Sequence, residues 1–131
     1  MRKITIAPSI LAADYANFSG AVEEIEAAKA DWVHVDIMDG YFVPNLTFGP
    51  MLVQALKKRS SSFFDVHLMV EKPENYISAC ADAGADCITF HAEAVVHSHR
   101  ILTAIRETGK MAGISIVPST PACAITELLP F

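Results

Sequence analysis

Short apolar runs alternate along the chain with segments in which apolar residues recur at helical spacing. The runs predict strands that begin near Ile4, Val33, Phe64, Ile88 and Gly113. The segments between them predict helices over residues 16–28, 51–58, 73–83 and 99–107, and a last helix that follows Pro121 and stops at Leu129. A strand and a helix recurring at about 25 to 30 residues form a βα unit. The pattern therefore predicts a parallel sheet with right-handed crossovers.

Polar side chains interrupt two of the predicted strands. In the strand over residues 32–37, His34 and Asp36 share one face, because alternate residues of a strand point the same way. The strand over residues 63–70 repeats the pattern and carries on one face Asp65, His67 and Met69. A buried carboxylate needs a bound cation or an enclosed hydrogen-bond network. If the strands are neighbours, two imidazoles and one carboxylate suit a divalent metal ion.

Composition favours one core-rich domain outside the secreted and membrane classes. The chain has 131 residues, of which 52% are hydrophobic, and a net charge of −5. Lys and Arg are scattered, which argues against nucleic acid as a partner. No apolar run reaches the length of a membrane span, and the N-terminus does not resemble a secretory signal. Three cysteines without a CxxC spacing indicate reduced thiols, and so a cytoplasmic protein.

The length of the chain limits the architecture. The polar residues of interest lie within or just after the predicted strands, where a (β/α)8 barrel places its chemistry. Five strands are too few to close such a barrel, which typically needs about 250 residues. We therefore predict an α/β fold in which residues 1–131 form the N-terminal portion of a single TIM (β/α)8 barrel domain, roughly its first five βα units.

Five segments carry distinctive motifs. They are APSILAAD at residues 7–14, WVHVDIMDGYFVPNLTFGP at 32–50, DVHLMV at 65–70, AGADCITFHAE at 83–93 and VPSTP at 117–121. In register along the whole chain, they resemble the ribulose-phosphate 3-epimerase family. Two positions depart from the family pattern: Lys29 stands where Gly is frequent, and Val117 stands where Asn is frequent.

The resemblance implies an isomerase of the pentose phosphate pathway that inverts carbon 3 of a ketopentose 5-phosphate. Ribulose 5-phosphate and xylulose 5-phosphate would interconvert by two-base proton transfer through an enediolate, with help from one divalent metal ion (Zn, Fe(II), Mn or Co). The resemblance implies that the metal ligands are His34, Asp36 and His67, and that Asp36 is also the base on one face. It implies substrate contacts from Ser9, His67, Met38 and Met69. The second catalytic Asp and the phosphate-binding loops would belong to later strands.

Several interpretations stay open beside these roles. The two methionines could fill gaps in the core, Ser9 could only cap a turn, and the His and Asp group could be a buried network. Asp39 and Gly40 are typical of a turn, while His91 and Glu93 have a supporting or structural role. Residues 41–50 could form a pocket wall or an interface.

Three functions remain possible for the chain as a whole. Besides the pentulose epimerase, it could be an epimerase of a ketohexose 6-phosphate or an inactive half barrel that self-associates. A half barrel leaves sheet edges exposed, so a homo-oligomer is expected. We also expect the 131-residue chain alone to be inactive, and the partner of the complete enzyme to be a small sugar phosphate.

Overall fold

A four-stranded parallel sheet forms the centre of the computed structural model, which describes residues 4–131. Its strands are β1 (Trp32–Met38), β2 (Phe63–Met69), β3 (Cys87–His91) and β4 (Met111–Ser115). They are paired in the order β1-β2-β3-β4. Each strand is therefore parallel to its successor in the chain. This is the α/β arrangement of a partial TIM barrel, as the sequence predicts.

Helices connect the strands at nearly the predicted positions. They are α1 (Phe18–Ala27), α2 (Pro50–Lys57), α3 (Ile77–Ala83) and α4 (Ser98–Glu107), with short 3-10 segments at Ile10–Ala12, Pro73–Asn75, Ala92–Ala94 and Ala122–Leu128. The Asn17 side chain caps α1 by accepting from the Gly20 amide. Gly84, at φ 99°, ends α3 in the left-handed conformation. None of the helices within residues 4–131 is long and apolar enough to cross a membrane.

The core lies between the helices and one face of the sheet. Its fully buried members on the strands include Val33, Val35, Phe64, Val66, Leu68, Ile88 and Phe90. The helices contribute buried side chains such as Val53, Leu56, Ile77 and Ile105. Because alternate strand residues occupy this apolar face, the intervening residues of β1 and β2 are directed to the other face of the sheet.

The predicted first strand, residues 4–7, is wrong: this segment is extended but forms no regular strand. Ile6 accepts from the Asp31 and Trp32 amides, and Pro8 accepts from the His34 amide. The Ile6 amide donates to the Asp31 carboxylate instead of to a strand, and Pro8 has no amide hydrogen. The ladder is therefore interrupted, and a single parallel bridge from Ser9 to His34 remains.

The last two predicted elements also differ from the structure. The fifth predicted strand, residues 113–117, is shifted to Met111–Ser115, because the Val117 amide donates to the Glu93 carboxylate instead of to a strand. The predicted last helix forms a 3-10 helix at Ala122–Leu128. None of its residues is fully buried, and Leu128 is its one partly buried residue packed against the core, so core packing there is slight.

Lys29 departs from the family motif at a position with unusual backbone geometry. Its φ is 57°, and no other non-glycine residue within residues 4–131 has a positive φ. Glycine reaches this conformation without a steric penalty, whereas a residue with a Cβ does not. The turn between α1 and β1 therefore explains in physical terms why Gly suits this position.

Candidate metal and active site

The pairing of β1 with β2 brings the predicted polar residues together. The register sets His34 opposite Asp65, Asp36 opposite His67, and Met38 opposite Met69. Since paired residues of a parallel sheet lie side by side on one face, the two strands form three adjacent polar or sulfur-containing pairs. The adjacency of these strands is the condition that the sequence argument required.

Asp36 lies at the centre of this group and is 7% exposed. Its Oδ1 lies 3.1 Å from His34 Nε2 and 3.2 Å from His67 Nδ1, and its Oδ2 accepts from Ser9 Oγ at 2.5 Å. Burial would raise the pKa of this carboxyl group, but the hydrogen bonds from His34, His67 and Ser9 outweigh burial and hold the pKa well below its usual range. Asp36 is therefore an ionised carboxylate with both oxygens engaged.

His34 connects Asp36 to a second carboxylate, Asp65. His34 Nδ1 lies 2.8 Å from Asp65 Oδ2, while Nε2 faces Asp36. Hydrogen bonds to Asp36 and then to Asp65 raise the pKa of His34 to about 9, although burial opposes the shift. Sequence reasoning placed Asp65 on this face and gave it no role. The signal was present, since a ligating imidazole commonly has a carboxylate behind it.

The donor atoms of His34, Asp36 and His67 fit a divalent cation. One ligand atom from each residue lies within 4.8 Å of the others. Two imidazoles and a carboxylate are the mixed nitrogen and oxygen set typical of zinc and similar metals. The Asp36 and Asp65 carboxylates give the group an excess of negative charge that a cation would neutralise.

His67 makes its second contact with His91, at the end of β3. The two Nε2 atoms are 2.9 Å apart, and the ring planes differ by 28°. His91 is 8% exposed, and its Nδ1 is buried without a hydrogen-bond partner. The nearest acidic atom is Glu93 Oε2, at 3.5 Å. Burial and the nearby His67 lower the pKa of His91, and Glu93 opposes that shift only in part.

Ser9, Met38 and Met69 line the same region in different ways. Ser9 Oγ accepts from the Leu11 amide and donates to Asp36, so the hydroxyl group both caps a turn and contacts the site. Met38 is buried, while Met69 on the adjacent strand is half-buried. The structure therefore brings together all six side chains predicted to be in the site, which are Ser9, His34, Asp36, Met38, His67 and Met69.

The loop that follows β1 is held against the site by two side chains. Thr47 donates to the Asp36 carbonyl oxygen at 2.8 Å and accepts from the Met38 amide at 3.0 Å. Asp39 accepts from three amides, those of Tyr41, Phe42 and Glu71. Gly40 follows at φ 79°, so the predicted turn is present, with an additional connection to the end of β2. Sequence reasoning missed Thr47, which no periodic pattern marks.

Known proteins are similar to this chain over nearly its full length. The model of the "Ribulose-phosphate 3 epimerase family" matches residues 5–130. A protein named ribulose-phosphate 3-epimerase from Treponema pallidum is 52% identical over 130 residues, covering 99% of this chain and 60% of that protein. Proteins of the same name from Rhodobacter capsulatus and Bacillus subtilis are 56% and 47% identical, and the matches cover 98% and 95% of this chain. The chain spans 56% and 58% of the lengths of these two relatives.

Proposed function

Because the chain belongs to the ribulose-phosphate 3-epimerase family, we propose that the full-length protein inverts carbon 3 of D-ribulose 5-phosphate to give D-xylulose 5-phosphate. The observation that carries the proposal is the group of His34, Asp36 and His67 on adjacent strands, within 4.8 Å of one another. The relatives named above carry the same activity in their names. The substrate would be a small sugar phosphate bound at the C-terminal end of the sheet.

The chain would supply the N-terminal portion, residues 1–131, of a single (β/α)8 barrel. Four parallel strands in sequential order, with helices packed on one face, support this assignment. The greater length of the relatives leaves room for further βα units. A barrel closes when later strands pair with the edge at β4 and with the extended segment beside β1.

A divalent cation, Zn, Fe(II), Mn or Co, would be held by His34 Nε2, His67 Nδ1 and a carboxylate oxygen of Asp36. Such an ion, when bound, supplies a Lewis acid that stabilises negative charge on a substrate oxygen. Asp65 holds His34 in place from behind and thereby orients Nε2 toward the shared centre.

Asp36 would act as the base on one face of the substrate. Its ionised carboxylate can accept a proton from a carbon next to a carbonyl group, whereas a ligating imidazole cannot release its nitrogen without losing the metal. Ser9 would contact the substrate through the hydroxyl group that now donates to Asp36. Met38 and Met69 would line the pocket with polarizable sulfur and keep water away from the reacting carbon.

Inversion of a stereocentre also needs an acid on the opposite face. We assign that role to no residue in the described part of the chain, and place it in the later strands of the barrel. The 131-residue chain alone is therefore expected to be inactive. In the 131-residue chain alone, the edge at β4, where Met111 is 53% exposed, would support self-association, so we expect that chain to form a homo-oligomer. The cysteine pattern of the sequence is the basis for proposing a cytoplasmic location.

The assay is interconversion of the two pentulose 5-phosphates by the full-length protein, with a ketohexose 6-phosphate as the competing substrate. A clear preference for the hexulose phosphate would favour the alternative epimerase, and no turnover of either would contradict the proposal. The Asp36→Asn variant should lose exchange of the carbon-3 proton with deuterium oxide while retaining some metal. Near-normal exchange in that variant would remove Asp36 as the base.

A further inference from the structure

One buried histidine contacts the metal group and has no role in the function proposed above. His91 meets His67 Nε2 with its own Nε2 at 2.9 Å, and it is 8% exposed. On its other side the ring centroid of Phe42 lies 4.8 Å away. The ring of His91 is therefore confined between His67 and Phe42, so its nitrogens have defined directions.

The atoms involved restrict the positions of the protons. If His67 binds a cation through Nδ1, its remaining hydrogen must lie on Nε2, because a neutral imidazole carries one N–H. That N–H is directed at His91 Nε2, which can accept it only if the hydrogen of His91 lies on Nδ1. Metal binding by His67 thus requires one particular tautomer of His91.

Glu93 stabilises that tautomer. Its Oε2 lies 3.5 Å from His91 Nδ1, an atom that is buried and has no other polar partner. Glu93 is itself held in place, because its Oε1 accepts from the Val117 amide at 2.8 Å. A carboxylate beside Nδ1 favours a hydrogen on that nitrogen, whereas an unprotonated Nδ1 would direct its lone pair at a negative charge.

We propose that His91 and Glu93 are positioning residues that orient His67 and set its tautomer for metal binding. The inference rests on the proposed metal site. Asp65 supports His34 by direct contact with its carboxylate. His67 would be supported instead by the neutral ring of His91, with the Glu93 carboxylate behind that ring. Ligating histidines generally donate their second N–H to such a partner, and loss of the partner typically costs 10- to 100-fold in metal affinity.

The test measures Co²⁺ affinity of the full-length protein by competition with a chromophoric chelator. His91→Phe keeps a ring and removes both nitrogens, so we expect affinity to fall about 10- to 100-fold. His91→Gln offers an amide oxygen to His67 Nε2 and should restore most of the loss. His97→Phe is the matched control, since His97 is exposed at the start of α4 and makes no side-chain cap there.

A second measurement reads the tautomer directly. Two-bond ¹H–¹⁵N correlation spectra of the Zn²⁺-loaded full-length protein should show the His91 hydrogen on Nδ1, and Glu93→Ala should give a mixture of tautomers. A merely structural role of His91 would leave this signature unchanged in the Glu93 variant.

The outcomes separate the inference from the proposed function. A parent protein that binds no Co²⁺ would overturn the metal site and the inference with it. A parent that binds Co²⁺ while His91→Phe binds equally well would overturn the inference alone. If His91→Phe does not fold, the parent spectrum decides, and a hydrogen on His91 Nε2 contradicts the proposal.

Discussion

Asp86 joins three elements at the N-terminal side of the sheet, and its removal gives the sharpest prediction about stability. Its Oδ2 accepts from Lys57 Nζ at 2.6 Å and from the Phe64 amide at 2.8 Å. Its backbone amide donates to the Phe64 carbonyl oxygen, and its carbonyl oxygen accepts from the Met111 amide. The carboxylate therefore fixes the entry of β2 next to β3, on which the position of His67 beside His91 depends.

The magnitude follows from the two contacts of the Asp86 side chain. The ion pair with Lys57 is partly exposed, at 26% and 29% for the two side chains, so it contributes only about 0.5–1 kcal/mol. The Phe64 amide belongs to a residue that is 0% exposed, and a buried donor without a partner costs about 1–3 kcal/mol. Asp86→Ala should therefore reduce the free energy of unfolding by about 2–3 kcal/mol.

Two further variants separate these contributions. Asp86→Asn keeps an acceptor for the Phe64 amide and should cost only about 0.5–1 kcal/mol. Asp82→Ala on α3 is the control, because Asp82 is exposed and makes one long contact with Ser78 within its own helix. The control should change stability by less than about 0.5 kcal/mol.

Urea unfolding of the full-length protein, followed by circular dichroism, measures all three variants. With a slope of about 1–3 kcal/mol per molar urea, Asp86→Ala should lower the midpoint by roughly 1 M. Unfolding of this variant within the range of the control would refute the role of the Asp86 carboxylate. A loss for Asp86→Asn as large as that for Asp86→Ala would also refute it, because the charge would then matter more than the acceptor for Phe64.

Three further predictions concern the site and the thiols. His67→Ala should lower metal content and epimerase activity together, and unchanged metal stoichiometry would contradict its role as ligand. Burial raises the pKa of Asp39, but hydrogen bonds from three amides lower it overall. The contribution of the Asp39 carboxylate to the free energy of unfolding is therefore complete above its pKa in the unfolded chain and lost as pH falls through its pKa in the folded protein. The stability difference between the parent and Asp39→Asn should shrink in acid, and a difference independent of pH would refute this. Burial raises the pKa of Cys80 to about 12 and that of Cys87 to about 11, while Cys123 is exposed; of these three, only Cys123 should react quickly with a thiol reagent at pH 8, and rapid reaction of the other two would contradict their burial.

The sequence predicts the site well where the reasoning depends on alternation alone. The spacing of His34 and Asp36 requires that they share a face, and the same argument applies to His67 on the next strand. The distances between the strands depend on register, which alternation does not determine. That Asp36 lies opposite His67, and not one pair away, follows from pairing across seven positions.

Contacts from outside β1 and β2 were harder to predict. His91 reaches His67 only because β3 pairs with β2, and Thr47 reaches β1 from a loop without periodicity. The first predicted strand, residues 4–7, ends before Pro8, and its absence depends on a contact that no pattern marks, because the Ile6 amide donates to the Asp31 carboxylate.

The uninterrupted pairing of β1 and β2 also limits how this gene segment can evolve. Because β1 has one polar face and one packed face, deleting one of its residues would move the proposed ligands His34 and Asp36 into the packed layer and bring valines to the polar face. A substitution changes one side chain, whereas a single-codon deletion changes the facing of every residue beyond it. Lineages that carry this site should therefore vary in strand composition while strand length stays constant, and length differences should accumulate in the loops.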